Sequence, residues 1–244
     1  MHGRHVVALI FLAASLSSAF AGERYDAVAD GDLSRIRAAA QSGDPNVDRG
    51  DLGTPLHLAA VKGDVAAAAV LLEKGLAVDA ANDDGSTPLV LAATYGNAAV
   101  VELLLAHGAA VNARSTIGNS PLLAAVKSRS EDVIRILLQA RGVDVNVSDM
   151  RGDAALHIAL NNAQEATART LLKHGADARA AGRYGMTPLH WAASLGLTEM
   201  IPVLVAGGAD LGVKNAQGKT PLMLAIDDRQ AAAEAALRAL GAKE

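Results

Sequence analysis

Thr54-Pro55-Leu56-His57-Leu58-Ala59-Ala60-Val61-Lys62-Gly63-Asp64 carries the rule by which the rest of the chain is read. Proline fits the first turn of a helix, where its missing N–H would have no partner, and the threonine hydroxyl before it can cap. Leu56, Ala59 and Ala60 form a narrow apolar stripe, and the alanines let a second helix approach closely. Gly63 supplies a left-handed stop and Asp64 can cap the second helix. Val70, Leu71 and Leu72 bury that second helix, Gly75 ends it, and Asp83-Asp84-Gly85 signals a turn. One unit therefore reads helix, turn, helix, extended hairpin. It has apolar faces on two sides that only a stacked neighbour can cover.

The unit recurs. TPLHLAA starts at Thr54, TPLVLAA at Thr87, SPLLAAV at Ser120, AALHIAL at Ala154, TPLHWAA at Thr187 and TPLMLAI at Thr220, at intervals of 33, 33, 34, 33 and 33. The longer interval comes from Leu137-Leu138-Gln139-Ala140-Arg141-Gly142, one residue longer before its glycine than Leu71-Leu72-Glu73-Lys74-Gly75. In these strings and their spacing the chain resembles the ankyrin-repeat family, over essentially all of residues 23–244. The resemblance implies an all-α ankyrin-repeat solenoid of helix-turn-helix units joined by short β-hairpin or loop connections. It places a capping half-repeat at 23–50 and six repeats near 51–81, 82–114, 115–148, 149–181, 182–214 and 215–244. Residues 22–244 then form a single domain. Gln230, Glu234 and Arg238 give the last helix a polar outer face, as the end of a stack requires.

Several units depart from the pattern. Ala154-Ala155 replaces Thr-Pro, removing the capping hydroxyl and the pre-set turn. Arg129, Ala163 and Arg229 stand where Gly63, Gly96 and Gly196 stand elsewhere, so their turns are expected to adopt another geometry. With Ala154, Ala155 and Ala163 together, the fourth repeat is the expected weak link. Pro202 is expected to remove one helical hydrogen bond and introduce a small kink. Trp191 replaces a leucine of the string and reads as core packing, with a place at a groove edge as the second reading.

The first residues read as an address. Arg4 precedes an apolar run from Val6 to Leu16, too short for a bilayer span of roughly 20 residues. Ala19-Phe20-Ala21 then offers an A-x-A cleavage site before Gly22. The expectation is a signal peptide over 1–21 and an exported product, periplasmic or secreted, with no membrane contact after cleavage. The Asn146-Val147-Ser148 sequon would matter only in a eukaryotic secretory route.

Composition excludes several chemistries. The 244 residues contain no cysteine, which removes disulfides, thiolate metal sites and thiol catalysis. A net charge of −4 and six aromatic residues argue against nucleic-acid binding by a basic stripe or by base stacking. Of the histidines beyond the leader, His57, His157 and His190 share one position of the string, where the resemblance implies a bond between neighbouring repeats. His107 and His174 sit at helix ends, where the negative dipole favours them. Asp83-Asp84 and Asp227-Asp228 read as turn formers or solvated charge, since no calcium-loop spacing accompanies them. No phosphate loop, serine elbow or paired-histidine metal motif occurs. The expectation is therefore no catalytic residue, no metal, no cofactor and a monomer.

The resemblance implies a partner surface on the concave side, built from hairpin tips and first helices. The residues there that the repeat does not prescribe are Asp83, Asp84 and Tyr95; Ile117 and Lys127; and Met150, Arg151, Asn161 and Asn162. Arg183, Tyr184, Met186 and Leu195 follow, then Gln217 and Asp227. Apolar residues at tips, with tyrosine and arginine beside them, have the composition of an interface core, strongest in repeats three to five. The expected function is a non-enzymatic module that binds a folded protein partner. The alternatives are an inhibitor or immunity protein for an exported enzyme or toxin, and a membrane-tethered scaffold.

Overall fold

The computed structural model describes residues 23–39 and 52–243, so the expected leader over 1–21 and part of the expected cap lie outside the described residues. Among the described residues the regular elements are helical, and β pairing is limited to isolated bridge residues, among them the antiparallel pair Ser148 and Ala154. The chain divides into two compact units, one ending at Thr116 and one beginning at Ile117.

The first unit contains α1 (Glu23–Asp30), α2 (Leu33–Ala39), α3 (Pro55–Lys62), α4 (Val65–Glu73), α5 (Pro88–Tyr95) and α6 (Ala98–Ala106). First helices stack on first helices, α1 on α3 and α3 on α5, while α2, α4 and α6 stack in a second row. Fully buried Leu56, Leu71, Leu89 and Leu104 fill the layer between the rows, each contributing about 1.5–3 kcal/mol. Links between successive repeats of the stack are polar as well. Lys62 Nζ donates to the Val28 and Ala29 carbonyls at 2.8 and 2.7 Å, satisfying acceptors at the end of α1. Asn97 Nδ2 donates to the Ala60 and Val61 carbonyls at 2.7 and 3.0 Å.

The second unit contains α7 (Pro121–Ser128), α8 (Glu131–Gln139), α9 (Ala155–Asn161), α10 (Glu165–Lys173), α11 (Pro188–Ser194), α12 (Met200–Ala206), α13 (Pro221–Asp227) and α14 (Ala231–Ala239). The first helices α7, α9, α11 and α13 pack in sequence, with Leu122, Leu156, Leu160 and Leu189 fully buried among them. The second row is looser at α10, whose polar sequence leaves a groove of about 260 Å³ against α8, between Arg135 and Thr170.

The structure corrects two expectations. Arg129, Ala163 and Arg229 do not change the turn geometry: they take the left-handed conformation itself, with φ of 59°, 53° and 57°. The stack and the bonds of the turn hold them there, at roughly 1–2 kcal/mol each. Pro202 shortens its helix and no kink interrupts it. With no N–H to donate to Thr198, the first turn closes instead through Met200 N–H to Leu197 O (2.9 Å) and Ile201 N–H to Thr198 O (3.3 Å). The helix spans seven residues, against nine for α8 and α10.

Candidate functional site: a cleft where the ladder of hairpin tips is interrupted

Histidine accounts for the regular junctions. His57 Nδ1 accepts the Thr54 N–H at 3.0 Å, which leaves Nε2–H to donate to the Ser86 carbonyl at 3.0 Å. His190 does the same between Thr187 N–H (3.1 Å) and Lys219 O (3.0 Å). His157 accepts from Ala154 N–H at 3.2 Å but donates at 2.8 Å to Ala180, six residues before the position that Ser86 and Lys219 would predict. Burial holds both His157 and His190 below the ordinary imidazole value, outweighing the backbone acceptors and, for His157, the neighbouring Asp153, Asp177 and Asp149. His107 and His174 donate from Nδ1 to Leu103 O and Thr170 O, each at 2.9 Å, at the ends of their helices. All five are held by backbone.

The hairpin tips share one construction. In the tips 82–86, 149–153 and 215–219 the first residue is Asn82, Asp149 or Asn215. Its side-chain oxygen accepts the N–H groups two and four residues on. Adjacent tips are then joined by one backbone bond. Thr116 N–H donates to Asp84 O (2.8 Å), Met150 N–H to Ile117 O (3.4 Å) and Ala216 N–H to Tyr184 O (2.8 Å).

The tip at 182–186 breaks the scheme. Gly182 has no side chain to accept, and the segment tightens into a single 3-10 turn with Tyr184 at φ 57°. Arg183 N–H donates to Asp153 Oδ1 of the preceding tip at 3.0 Å, where its counterparts donate to a backbone carbonyl. A Cβ on Gly182 would lie 2.5 Å from that oxygen and 2.9 Å from His157 Cδ2, so the link requires glycine.

Beside this interruption lies a cleft of about 440 Å³. Ile117, Met150 and Arg151 form its outer edge, Lys127, Asn161 and Asn162 its helix side, and Asp149, Asp153, His157, Ile158, Arg183 and Trp191 its depth. The acids are turned inward and the cations outward. Asp149 and Asp153 side chains are 11% and 10% exposed, whereas their partners Lys127 and Arg183 are 38% and 28% exposed. Burial alone would raise the Asp149 pKa. Hydrogen bonds from Arg151 N–H, Lys127 and Asp153 N–H, with the Lys127 charge, outweigh it and hold the carboxyl below its usual value.

Trp191 is half-buried against the cleft and is not part of the core, so the groove-edge reading is the correct one. The Arg183 guanidinium lies 5.3 Å from its ring centroid, a cation–π distance. Arg183 Nε and Trp191 Nε1 are the buried side-chain polar atoms without a hydrogen-bond partner among the described residues. Arg183 Nε is 3.3 Å from Asp153 Oδ2, close enough for charge attraction but outside hydrogen-bond alignment. Each unmet donor costs about 1–3 kcal/mol.

The cleft thus gathers Ile117, Lys127, Met150, Arg151, Asn161, Asn162 and Arg183 of the expected surface. Tyr184 and Leu195 are exposed outside its lining. Met186 is half-buried with its Sδ 3.4 Å from Asn215 Nδ2. Gln217 is exposed on its tip, and Asp227 pairs with Lys219 at 2.6 Å. Asp83, Asp84 and Tyr95 belong to the first unit, the two aspartates exposed on a tip and Tyr95 half-buried at the end of α5. Sequence reasoning missed Asp149, Asp153 and Ile158. The available signal was Asp153, an acid at a position that is glycine, serine, asparagine, methionine or lysine in the other units.

The profile for "Ankyrin repeats (3 copies)" matches residues 25–115 and 113–182, and that for "Ankyrin repeats (many copies)" matches 171–225. No curated protein sequence matches the chain. Among solved structures, an ankyrin repeat domain from Acinetobacter baumannii AYE is 30% identical, over 78% of this chain and 98% of that one, with a TM-score of 0.72. The ankyrin repeat domain of Bcl-3, described as a unique member of the IkappaB protein family, is 28% identical over 89% and 98%, at 0.80. The human ASB11 ankyrin repeat domain is 32% identical over 91% and 99%, at 0.75. With its six strings, stacked helix pairs and bonded hairpin tips, the chain belongs to the ankyrin-repeat family.

Proposed function

We propose that the protein is a non-enzymatic binding module, exported to the periplasm or beyond the cell, that holds a folded protein partner on the tips and first helices of residues 117–244. Ankyrin repeats generally mediate protein–protein interaction and are generally not enzymes. The observation that carries the reading is the exposure of Ile117, Met150 and Tyr184 on three consecutive tips, at 65%, 75% and 74%. Three large apolar side chains held in water beside a cleft that carries Arg151 and Arg183 have the make-up of an interface core with its polar rim. A rigid stack presents them without further ordering, which lowers the entropic cost of association. Export rests on the composition of residues 1–21.

The test compares the tagged full chain with a variant carrying Met150→Ser, Tyr184→Ala and Leu195→Ser, both recovered from the native cell with whatever they hold. A protein retained by the parent and released by the variant, with unchanged helical circular dichroism, is the expected result. Equal retention by both would remove the site from this face. N-terminal sequencing of the recovered chain reads export directly: a start at Gly22 is expected, and an intact Met1 would refute it.

A further inference from the structure

The polarity of the cleft beside the interrupted tip defines the chemistry of its ligand. Its two carboxylates are spent within the chain. Asp149 accepts from Lys127, Arg151 N–H and Asp153 N–H, and Asp153 from Arg183 N–H. Its cations are spent only in part: Lys127 pairs with Asp149, and Arg183 faces Asp153 through Nε alone. Arg151 is exposed and forms no ion pair among the described residues, and the terminal nitrogens of Arg183 make no hydrogen bond there. A visitor therefore meets Arg151 and the terminal nitrogens of Arg183, while the two carboxylates lie at the base and offset only two of the three positive charges. Apolar surface adjoins them, from Ile117 and Met150 at the edge and the Trp191 ring within. The orphaned N–H groups of Arg183 and Trp191 belong to the same cleft, so its hydrogen bonding is incomplete as it stands.

We propose that this cleft receives an acidic, aliphatic segment of the partner protein, one carboxylate against Arg151 and Arg183 and a neighbouring side chain against Trp191, Met150 and Ile117. The proposal rests on the function proposed above and adds the chemistry of the segment recognised. Arginine suits the task, because its planar fork meets a carboxylate through two N–H groups while its face stays on an indole. About 440 Å³ accommodates a few side chains, which is a segment rather than a domain. Lys127 contributes field more than contact, since it already donates to Asn119 Oδ1 and Asp149.

Trp191 is the only tryptophan of the chain, so its fluorescence reports this cleft and nothing else. The experiment titrates the full chain with the capped pentapeptide Leu-Glu-Leu-Asp-Leu, its Gln/Asn amide analogue and its Lys analogue. A saturable change in Trp191 emission with the acidic peptide is expected. Binding at least ten-fold weaker should be seen with the amide analogue, and none with the lysine one. Arg151→Gln, on an exposed tip and so harmless to folding, should weaken the acidic peptide about ten-fold, and raised salt should weaken it further. No saturable change, or equal binding of the acidic and amide peptides, overturns the proposal. An equal response to phosphatidylglycerol vesicles or a thymidine oligonucleotide overturns it too, since the cleft would then read charge alone. If Arg151→Gln leaves a retained partner in place while the Met150, Tyr184 and Leu195 variant releases it, the binding module stands and the acidic segment falls.

Discussion

The repeats that begin at Ala154 and at Thr187 are neighbours in one unit, and each is irregular in a different helix. The first lacks the capping hydroxyl and proline of α9 and keeps a full-length second helix, α10. The second opens α11 with Thr187 and Pro188, then loses the first turn of α12 to Pro202. Both keep the histidine that accepts the N-terminal N–H of its helix, but only His190 reaches the next repeat, at Lys219 O, while His157 donates to Ala180 at the end of its own. Helix starts are therefore expendable one at a time, while the buried histidine that ties the helix start to a following hairpin carbonyl is retained. This is the behaviour of a stack in which neighbour contacts carry much of the stability.

Removing the bridge should produce the largest effect. His190→Ala takes away three hydrogen bonds, with Thr187 N–H, Thr187 Oγ1 and Lys219 O, and leaves a void, at a cost of about 2–4 kcal/mol by denaturant melting. His157→Ala should cost about 1 kcal/mol more, because Thr187 retains a hydroxyl near its helix start and Ala154 has none. Equal losses would show that the hydroxyl contributes nothing once the histidine is present.

The converse repair is smaller. Ala154→Thr with Ala155→Pro should restore the missing start and raise stability by about 1 kcal/mol. An unchanged midpoint would mean that the stack already holds α9 as firmly as α11. Ala163→Gly, at φ 53°, should gain about 0.5 kcal/mol, the relief of left-handed strain less the extra freedom of glycine in the unfolded chain. A loss instead would mean that the Ala163 methyl group makes contacts worth more than the strain.

Acidification sharpens the comparison most gently. His157 and His190 are depressed below 6.5 in the folded chain, so the unfolded chain binds their protons first. Their contribution is complete above about pH 6.5 and is lost as pH falls through the folded values. The thermal midpoint should decline between pH 7 and 5, and decline less in the His157→Gln, His190→Gln double variant. A midpoint equally pH-dependent in that variant would shift the cause to other groups. Asp149 acts in a lower range, since its stabilising charge is lost only below the ordinary carboxylate value of 3.8.

The helical order was legible because each first helix depends on local signals: proline at its first turn, a small-residue stripe, and a period that a single inserted residue in the third repeat shifts by one. The left-handed turns at Arg129 and Ala163 were not, because a turn's conformation is imposed by its surroundings and not by its own preference alone. The exposed tips, Ile117, Met150 and Tyr184, could be identified by subtracting the repeat from the sequence. The cleft could not. It depends on Gly182 making room for Asp153, and on Arg183 lying over Trp191, pairings between residues 29 and 8 positions apart with no shared motif. Sequence places Trp191 inward because its position in the string is usually apolar and covered, whereas the ring lies half-buried in the cleft lining, beside the Arg183 guanidinium.

Tyr184 is both left-handed and largely exposed. Replacing it with glycine would relax the backbone and remove an aromatic ring from water, so a screen that rewards thermal resistance alone would select against this residue. If the proposed partner contacts this ring, lineages that had lost the partner would be free to drift toward glycine or asparagine here, while those still engaged would be held at a strained aromatic. Under the proposed function, residue 184 is a place where selection for folding and selection for recognition would pull in opposite directions, and its identity in related chains would record which of the two had prevailed.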